Sequence, residues 1–536
     1  MLETGCFPDI LCNALIVPVH KKGSLSEPQN FRGISCMTKL FTSVLNMHLL
    51  SRSEDNDVLT DAQFGFWPHH STVDTIFALN TIIEKHLKNK SRLYCCFIDF
   101  KQAFDSVDRN KLWCKISQLG IRGKILRIIK SFYSKIKTSV LLNDKISEPF
   151  MNHLGLLQGE IMSPILFSYY LNDCEMDFLK NGCDSTELQE LSLFLLMYAD
   201  DMVIFSRSIS GLQEMLNSLS SYTAKWSLAV NIEKTKTVIF RNGGNEKADE
   251  IWFYDSRKLD IVNEFCNFGI VLNYNAKFSR TQKQLSLQCR KAMFGLKRKC
   301  SQMNFNHMTL LTLFDTYVAS IANYGSEIWG FHSAPDLEKV HLDFCKSILG
   351  VKRSTPNPMV YCELGRLPLI CYRKLRIIKY WLKLKNTKNC ILKSSFEYLC
   401  HEFHTKSNCK NWIANVFNIL SEIGLRDLFL EYNHLDAKLI FPIVKQRIID
   451  IYKQSLITEI SSSSKCFMYK HLIDHIDLQT YLKKPIYNQY KKCITRLRLS
   501  SHCLSIETGR YKNIPLDRRI CPMCKTDVED EFHFVL

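Results

Sequence analysis

The sequence predicts an α+β fold that passes, beyond its midpoint, into a basic and mainly helical region. Three observations point there. Apolar, strand-like runs at 93–98 and 193–206 end at or enclose aspartates. Strands and helices alternate around them irregularly, without the regular winding of a parallel sheet. Charge is also split. Residues 1–280 hold 31 Lys and Arg against 31 Asp and Glu, whereas 281–536 hold 39 against 22, so the whole net charge of +17 lies in the second part.

The 536 residues suffice for more than one domain with a large core, and 46% hydrophobic residues exclude a disordered chain. No uncharged apolar stretch reaches membrane length, and residues 1–20 lack the apolar core of a secretory leader. Twenty-two cysteines at irregular spacing then point to a reducing compartment. There is no internal repeat and no low-complexity tract beyond the serines at 461–464. The basic part predicts a polyanion partner held with salt-dependent affinity.

Taken in order, residues 1–92 mix short strands and helices and include a basic loop at Lys21 and Lys22. Positions 41–50 and 73–87 read as amphipathic helices, the second with cap chemistry at Ser71, Thr72 and Asp74. Residues 93–240 read as strand, helix, helix and strand hairpin. A polar turn follows at 241–250, with Gly243 and Gly244, then short strands over 253–272, and helices from about 279 onward.

The chemistry concentrates in LFLLMYADDMVIFS, residues 193–206. A hairpin puts Asp200 and Asp201 at a tight turn. Two adjacent carboxylates raise each other's pKa, a cost that a divalent cation relieves. Asp99 closes the run at 93–98. A lone Asp at a strand end is often a turn cap. If the two strands are neighbours, however, Asp99 and Asp200 converge on a shared pair of metal ions, as two-metal phosphoryl transfer requires.

The order FIDFKQAFD (97–105), GLLQGEIMSPILF (155–167), YADD (198–201) and NIEKTKTVIF (231–240) resembles motifs A to D of reverse transcriptases, most nearly those of LINE-type, non-LTR retrotransposons. HKKGS, NFRGIS and AQFGF with HHSTVD upstream resemble the fingers motifs of that group. The resemblance implies a right-hand polymerase: fingers at 1–92, palm at 93–245, post-palm strands and a primer-contact turn at 246–280, a basic helical thumb at 281–400, and a helical C-terminal region at 401–536. It implies an RNA-directed DNA polymerase that takes an RNA template, a DNA primer and dNTPs. It also implies a ribonucleoprotein with the element RNA, acting inside the cell in cytoplasm and nucleus and not in a membrane. Trp67 stands where the family usually has Arg, and the chain reads as truncated at both ends. A catalytically inactive RNA-binding remnant is therefore the alternative, and an intron maturase a more distant one.

Carried over residue by residue, the resemblance makes Asp99, Asp200 and Asp201 the magnesium site for two ions, with the Phe100 carbonyl completing one sphere. Phe104 would exclude a 2′-hydroxyl. Gln158 and Gly159 would lie against the template base and incoming nucleotide, and Ser163-Pro164 would start a helix. Lys22, or its neighbour Lys21, and Arg32 would hold the triphosphate. Lys234, or Lys236, would protonate the leaving pyrophosphate. Asp105 and Asp108 read as turn or helix-start residues. Arg376, Lys379 and Lys383 follow i, i+3, i+7 spacing and form a basic stripe for nucleic-acid backbone. Cys521, Cys524 and His533 resemble a partial zinc knuckle, with Cys503 or His502 as candidates for the fourth ligand.

Overall fold

The strand Leu93–Ile98 is LYCCFI, every residue of which is buried. A run this apolar belongs in the middle of a sheet covered on both faces. In the structure, a computed structural model, it is the central strand of five. The sheet order is Asp260–Ile261, Lys236–Phe240, Leu93–Ile98, Asp201–Ser206, Leu195–Tyr198. The register pairs Ile98 with Met202 on one side and Phe97 with Lys236 on the other, both antiparallel. Asp99 and the hairpin turn are thereby carried to the same end of the sheet.

Residues 5–9, 12–21, 23–36, 39–406, 408–430 and 436–535 are described. They form two compact units: Met1–Lys277 with Thr387–Tyr398, and Phe278–Asn386 with Leu399–Leu536. In the first unit, the helices Thr72–Lys88 and Ile209–Lys225 pack on the central sheet. The former begins in a capping box, Ser71 with Asp74, and buries twelve residues. A second sheet is built on Asn13–His20, which pairs antiparallel with Phe31–Cys36 and parallel with Lys137–Leu142. The helix predicted at 41–50 is longer, Leu40–Asp55. The helix Ser163–Leu171 does have Pro164 in its first turn. Its free N–H groups are taken by Glu160, whose carboxylate accepts from Met162 at 2.8 Å and Ser163 at 3.0 Å.

The second unit is helical. Ser279–Cys300 packs on Pro335–Leu349, and Leu369–Lys385 packs on Ala437–Ser462 and on Ser326–Trp329. Ion pairs anchored on buried side chains, Arg366 in one and Glu363 in the other, tie its helices together. Arg366 grips Asp315 with two bonds of 2.5 and 2.7 Å. Glu363 accepts from Arg498, Tyr469 and Tyr481 at 2.7–2.8 Å. Among the described residues, no helix is long and apolar enough to cross a membrane.

Candidate active site

Asp200 occupies a two-residue turn. Tyr198 pairs with Asp201 across the hairpin, leaving Ala199 and Asp200 as the loop. Ala199 takes φ +61°, a left-handed conformation that costs a non-glycine residue about 1 kcal/mol or more. Buried Gln63 holds it there. Its Oε1 accepts from Ala199 N–H at 3.0 Å and from Gly65 N–H at 2.9 Å, and its Nε2 donates to the Ala199 carbonyl. Gly65 is required as well, because a Cβ there would fall 2.2 Å from the Ala199 nitrogen. The segment also pairs with the hairpin directly, Phe64 N–H to Met197 carbonyl and Met197 N–H to Ala62 carbonyl. The motif AQFGF was visible in the sequence. Its work as a clamp on the aspartate turn was not, because nothing local links residue 63 to residue 199.

Asp99 is fixed by its backbone. Its N–H donates to Thr235 Oγ1 at 3.2 Å and its carbonyl accepts from Asn231 N–H at 2.7 Å. Asp99 and Asp200 line one cleft of about 870 Å³, together with Lys21, Arg32, Phe100, Phe104, Gln158, Gly159 and Lys234. Lys22 lies outside the described residues. Asp201 lines a neighbouring cleft of about 550 Å³ with Asp99, Lys234 and Phe268. The strand alternation sends adjacent aspartates to different sides, and Asp99 is common to both clefts. Phe268 and Gly269, both at positive φ, make the tight turn of the hairpin Glu264–Asn267 with Ile270–Asn273.

Burial first, then Asp99, raises the Asp200 carboxyl, while Arg32 and Lys21 pull it back. Asp201 is pushed up to about 6 by the surrounding protein first, then by Asp200 and Asp99. Such a cluster of oxygen donors fits a hard divalent cation, which would restore the ionised state.

The remaining predicted residues fall as follows. Phe104 is half-buried and stacks on Phe167 at 4.7 Å, so its ring is braced. Gln158 donates to both oxygens of Asp105 at 3.1–3.2 Å, and its carbonyl accepts from Ser35 N–H. Asp105 thus belongs to the cleft wall, where the sequence suggested only a turn residue. Gly159 is explained by its backbone at φ +93° and by Ile34 and Ser35, which a Cβ would meet at 3.0 Å. Lys234 reaches Asp99 at 3.3 Å, whereas Lys236 is paired with Asp260 at 2.6 Å.

In the second unit, Arg376, Lys379 and Lys383 share the helix Leu369–Lys385. Arg376, though exposed, is bound to Glu327 at 2.8 Å and Lys383 lies over Tyr380; Lys379, also exposed, has no ion pair among the described residues. The ligand atoms of Cys521, Cys524 and His533 lie within 4.8 Å of one another. His502 is not a fourth donor: one ring nitrogen bonds Glu531 at 2.9 Å and the other accepts from Leu504 N–H.

Residues 19–280 match the family model for reverse transcriptase (RNA-dependent DNA polymerase). Relatives include a probable RNA-directed DNA polymerase from transposon BS of Drosophila melanogaster, 26% identical over 64% of this chain and 38% of the relative. Another is the RNA-directed DNA polymerase from the mobile element jockey of the same species, 23% identical over 65% and 38%. A telomerase structure from Candida tropicalis aligns over 82% of this chain and 64% of that one, at 15% identity and a TM-score of 0.40. The chain spans about two fifths of the length of the curated relatives it matches. Motifs in order, an aspartate turn beside the Asp99 strand and the family match together identify residues 19–280 of this chain as a reverse transcriptase domain.

Proposed function

We propose that this chain copies RNA into DNA by nucleotidyl transfer in the Asp99–Asp200 cleft, with an RNA template, a DNA primer and dNTPs. The observation that carries the reading is the convergence of Asp99 and Asp200 on one cleft that also holds Arg32 and Phe104. Two Mg²⁺ ions held by Asp99 and Asp200, with Asp201 nearby, would neutralise charge on the reacting phosphate. The chain's own residues would do the rest. Arg32 and Lys21 draw the triphosphate to the same end of the cleft. Gln158, oriented by Asp105, forms a polar wall against the nucleotide. Phe104, backed by Phe167, blocks a 2′-hydroxyl. Lys234 stands beside Asp99, within reach of the departing pyrophosphate. Extension of oligo(dT) on poly(rA) with Mg²⁺ and dTTP, abolished by Asp200→Ala, is the expected result. RNA binding without extension would favour the remnant reading instead.

Cys521, Cys524 and His533 are proposed as ligands for Zn²⁺, which would cross-link the chain there. Their donor set suits zinc, and the Cys524 thiol is held down to about 6, first by the hydroxyl of Thr526. A zinc chelator should lower the melting temperature of the natural chain and leave a Cys524→Ser variant unmoved.

A further inference from the structure

Arg109 is buried, at 8% exposure, in the first position of the helix Arg109–Gln118. A cation there opposes the helix's own dipole, so the reason for it lies in tertiary contact. Among the described residues no carboxylate pairs with it. Its guanidinium is spent on backbone carbonyls instead. Nε donates to Gly155 at 2.8 Å, Nη2 to Leu154 at 3.3 Å, and Nη1 both to Asn152 and, at 3.0 Å, to Tyr133. Tyr133 stands in the last turn of the helix Lys124–Lys135, where carbonyls lack partners in their own helix. The other three carbonyls belong to 152–155, the stretch that leads into the cleft wall at Leu157, Gln158 and Gly159.

The same stretch is bonded to the segment that carries Phe104. Gly155 N–H donates to the Val107 carbonyl at 2.9 Å, and Leu156 N–H donates to the Phe104 carbonyl at 2.7 Å. Gly155 takes φ +77°, and a Cβ on it would fall 2.5 Å from the Asp105 carbonyl oxygen, so the two backbones run in contact. Gln158 then reaches back to Asp105. Phe104 and Gln158 therefore face one cleft from two segments whose spacing is set by bonds between their backbones. Arg109 grips one of those segments by three carbonyls. A planar guanidinium with donors in fixed directions suits that task, and a lysine ammonium of equal charge does not.

We infer that Arg109 is a positioning residue for nucleotide selection: it holds 152–156 against 104–107 and so fixes the spacing of Phe104 and Gln158 around the incoming sugar. Arg109 does not line the cleft and acts through these two segments. The inference rests on the polymerase reading of the cleft.

The test compares Arg109→Lys with the natural chain in extension of oligo(dT) on poly(rA), with dTTP and with UTP. A folding defect removes active molecules and lowers apparent kcat for both nucleotides alike. Lost positioning should instead raise KM for dTTP about fivefold or more and narrow the preference for dTTP over UTP about threefold or more. On a Phe104→Ala background, where the ring is already gone, Arg109→Lys should narrow the preference no further. Unchanged KM and preference in Arg109→Lys, or an equal further narrowing on the Phe104→Ala background, overturns the inference and leaves the polymerase reading standing. No extension by the natural chain removes both. Should Arg109→Lys fail to fold, Asn152→Ala takes its place, because Asn152 Oδ1 accepts from Leu154 N–H at 3.2 Å within the gripped stretch. It must narrow the preference in the same direction, and a natural preference in that variant overturns the inference.

Discussion

Polar side chains serve two purposes in this chain, and the cleft of the first unit and the helices of the second illustrate one each. In the first, polar groups around the cleft are bonded to backbone: Gln63 to Ala199, Thr235 to Asp99, Glu160 to the start of Ser163–Leu171. In the second, charge is bonded to charge, Arg376 to Glu327, Lys374 to Glu422, Arg366 to Asp315 and Arg498 to Glu363. Backbone bonds fix where a side chain sits to within a fraction of an ångström, which a reaction needs. Ion pairs between helices consume cations and acids one for one, so they leave the +17 excess of residues 281–536 intact and decide which of its cations are free to meet a polyanion.

If the first unit is built for geometry, its largest sensitivity is at the turn. Asp200→Ala should cut primer extension about a thousandfold or more while leaving stability nearly unchanged, because the carboxylate faces the cleft. Gln63→Leu should act in the opposite proportion. It strands the N–H groups of Ala199 and Gly65 and should cost about 2–3 kcal/mol in denaturant unfolding, with a smaller loss of extension as the turn loosens. A Gln63→Leu protein of natural stability would refute the clamp.

This pair of residues also marks what the sequence made legible. Asp99 and Asp200 could be put together only on the condition that their apolar, strand-like runs are neighbours, a condition that the ordered motifs of the resemblance supplied and local pattern could not. Gln63 could not, since its partner Ala199 is 136 residues away and its burial depends on pairing the sequence does not announce. Asp105 was passed over because a carboxylate after an aromatic reads as a turn until Gln158 is seen on it. The basic stripe shows the converse error. Spacing put Arg376, Lys379 and Lys383 on one helix, but only packing reveals that Glu327 takes the first.

Each unit also buries a neutral histidine, which allows their stabilities to be compared by pH. His86 and His307 are both pushed down to about 4, by burial first and by neighbouring cations next. One ring nitrogen of each has no partner. Between about pH 6.5 and 4 the folded chain therefore binds fewer protons than the unfolded one, so stability is lost on acidification and recovered above 6.5. By pH 5 each should contribute about 2 kcal/mol of that loss. Urea unfolding at pH 7 and 5 should show a flatter response in His86→Gln and in His307→Gln than in the natural chain.

Phe104→Ala probes the cleft wall more gently. Stability should fall modestly as the contact with Phe167 is lost. Ribonucleotide incorporation relative to deoxyribonucleotide should rise about tenfold, a steric effect of one side chain. An unchanged ratio would mean that the ring braces the cleft without reading the sugar.

The smallest effect tests the helical unit's economy of charge. Lys379→Gln removes an exposed ammonium that has no ion pair among the described residues, so stability should move by less than about 0.5 kcal/mol. If Lys379 meets a phosphate, the slope of log affinity for a template–primer duplex against log salt should become shallower by about one. Arg376→Gln should do the reverse. It takes from Glu327 Oε1 both bonds that Arg376 supplies, with the other carboxylate oxygen already buried and unbonded, and should cost about 1–3 kcal/mol of stability with little change in salt slope. The two substitutions lie three residues apart on one helix face and remove the same formal charge. A difference between them can only come from what each charge was already doing, and equal salt slopes would show that Glu327 does not withhold Arg376 from nucleic acid.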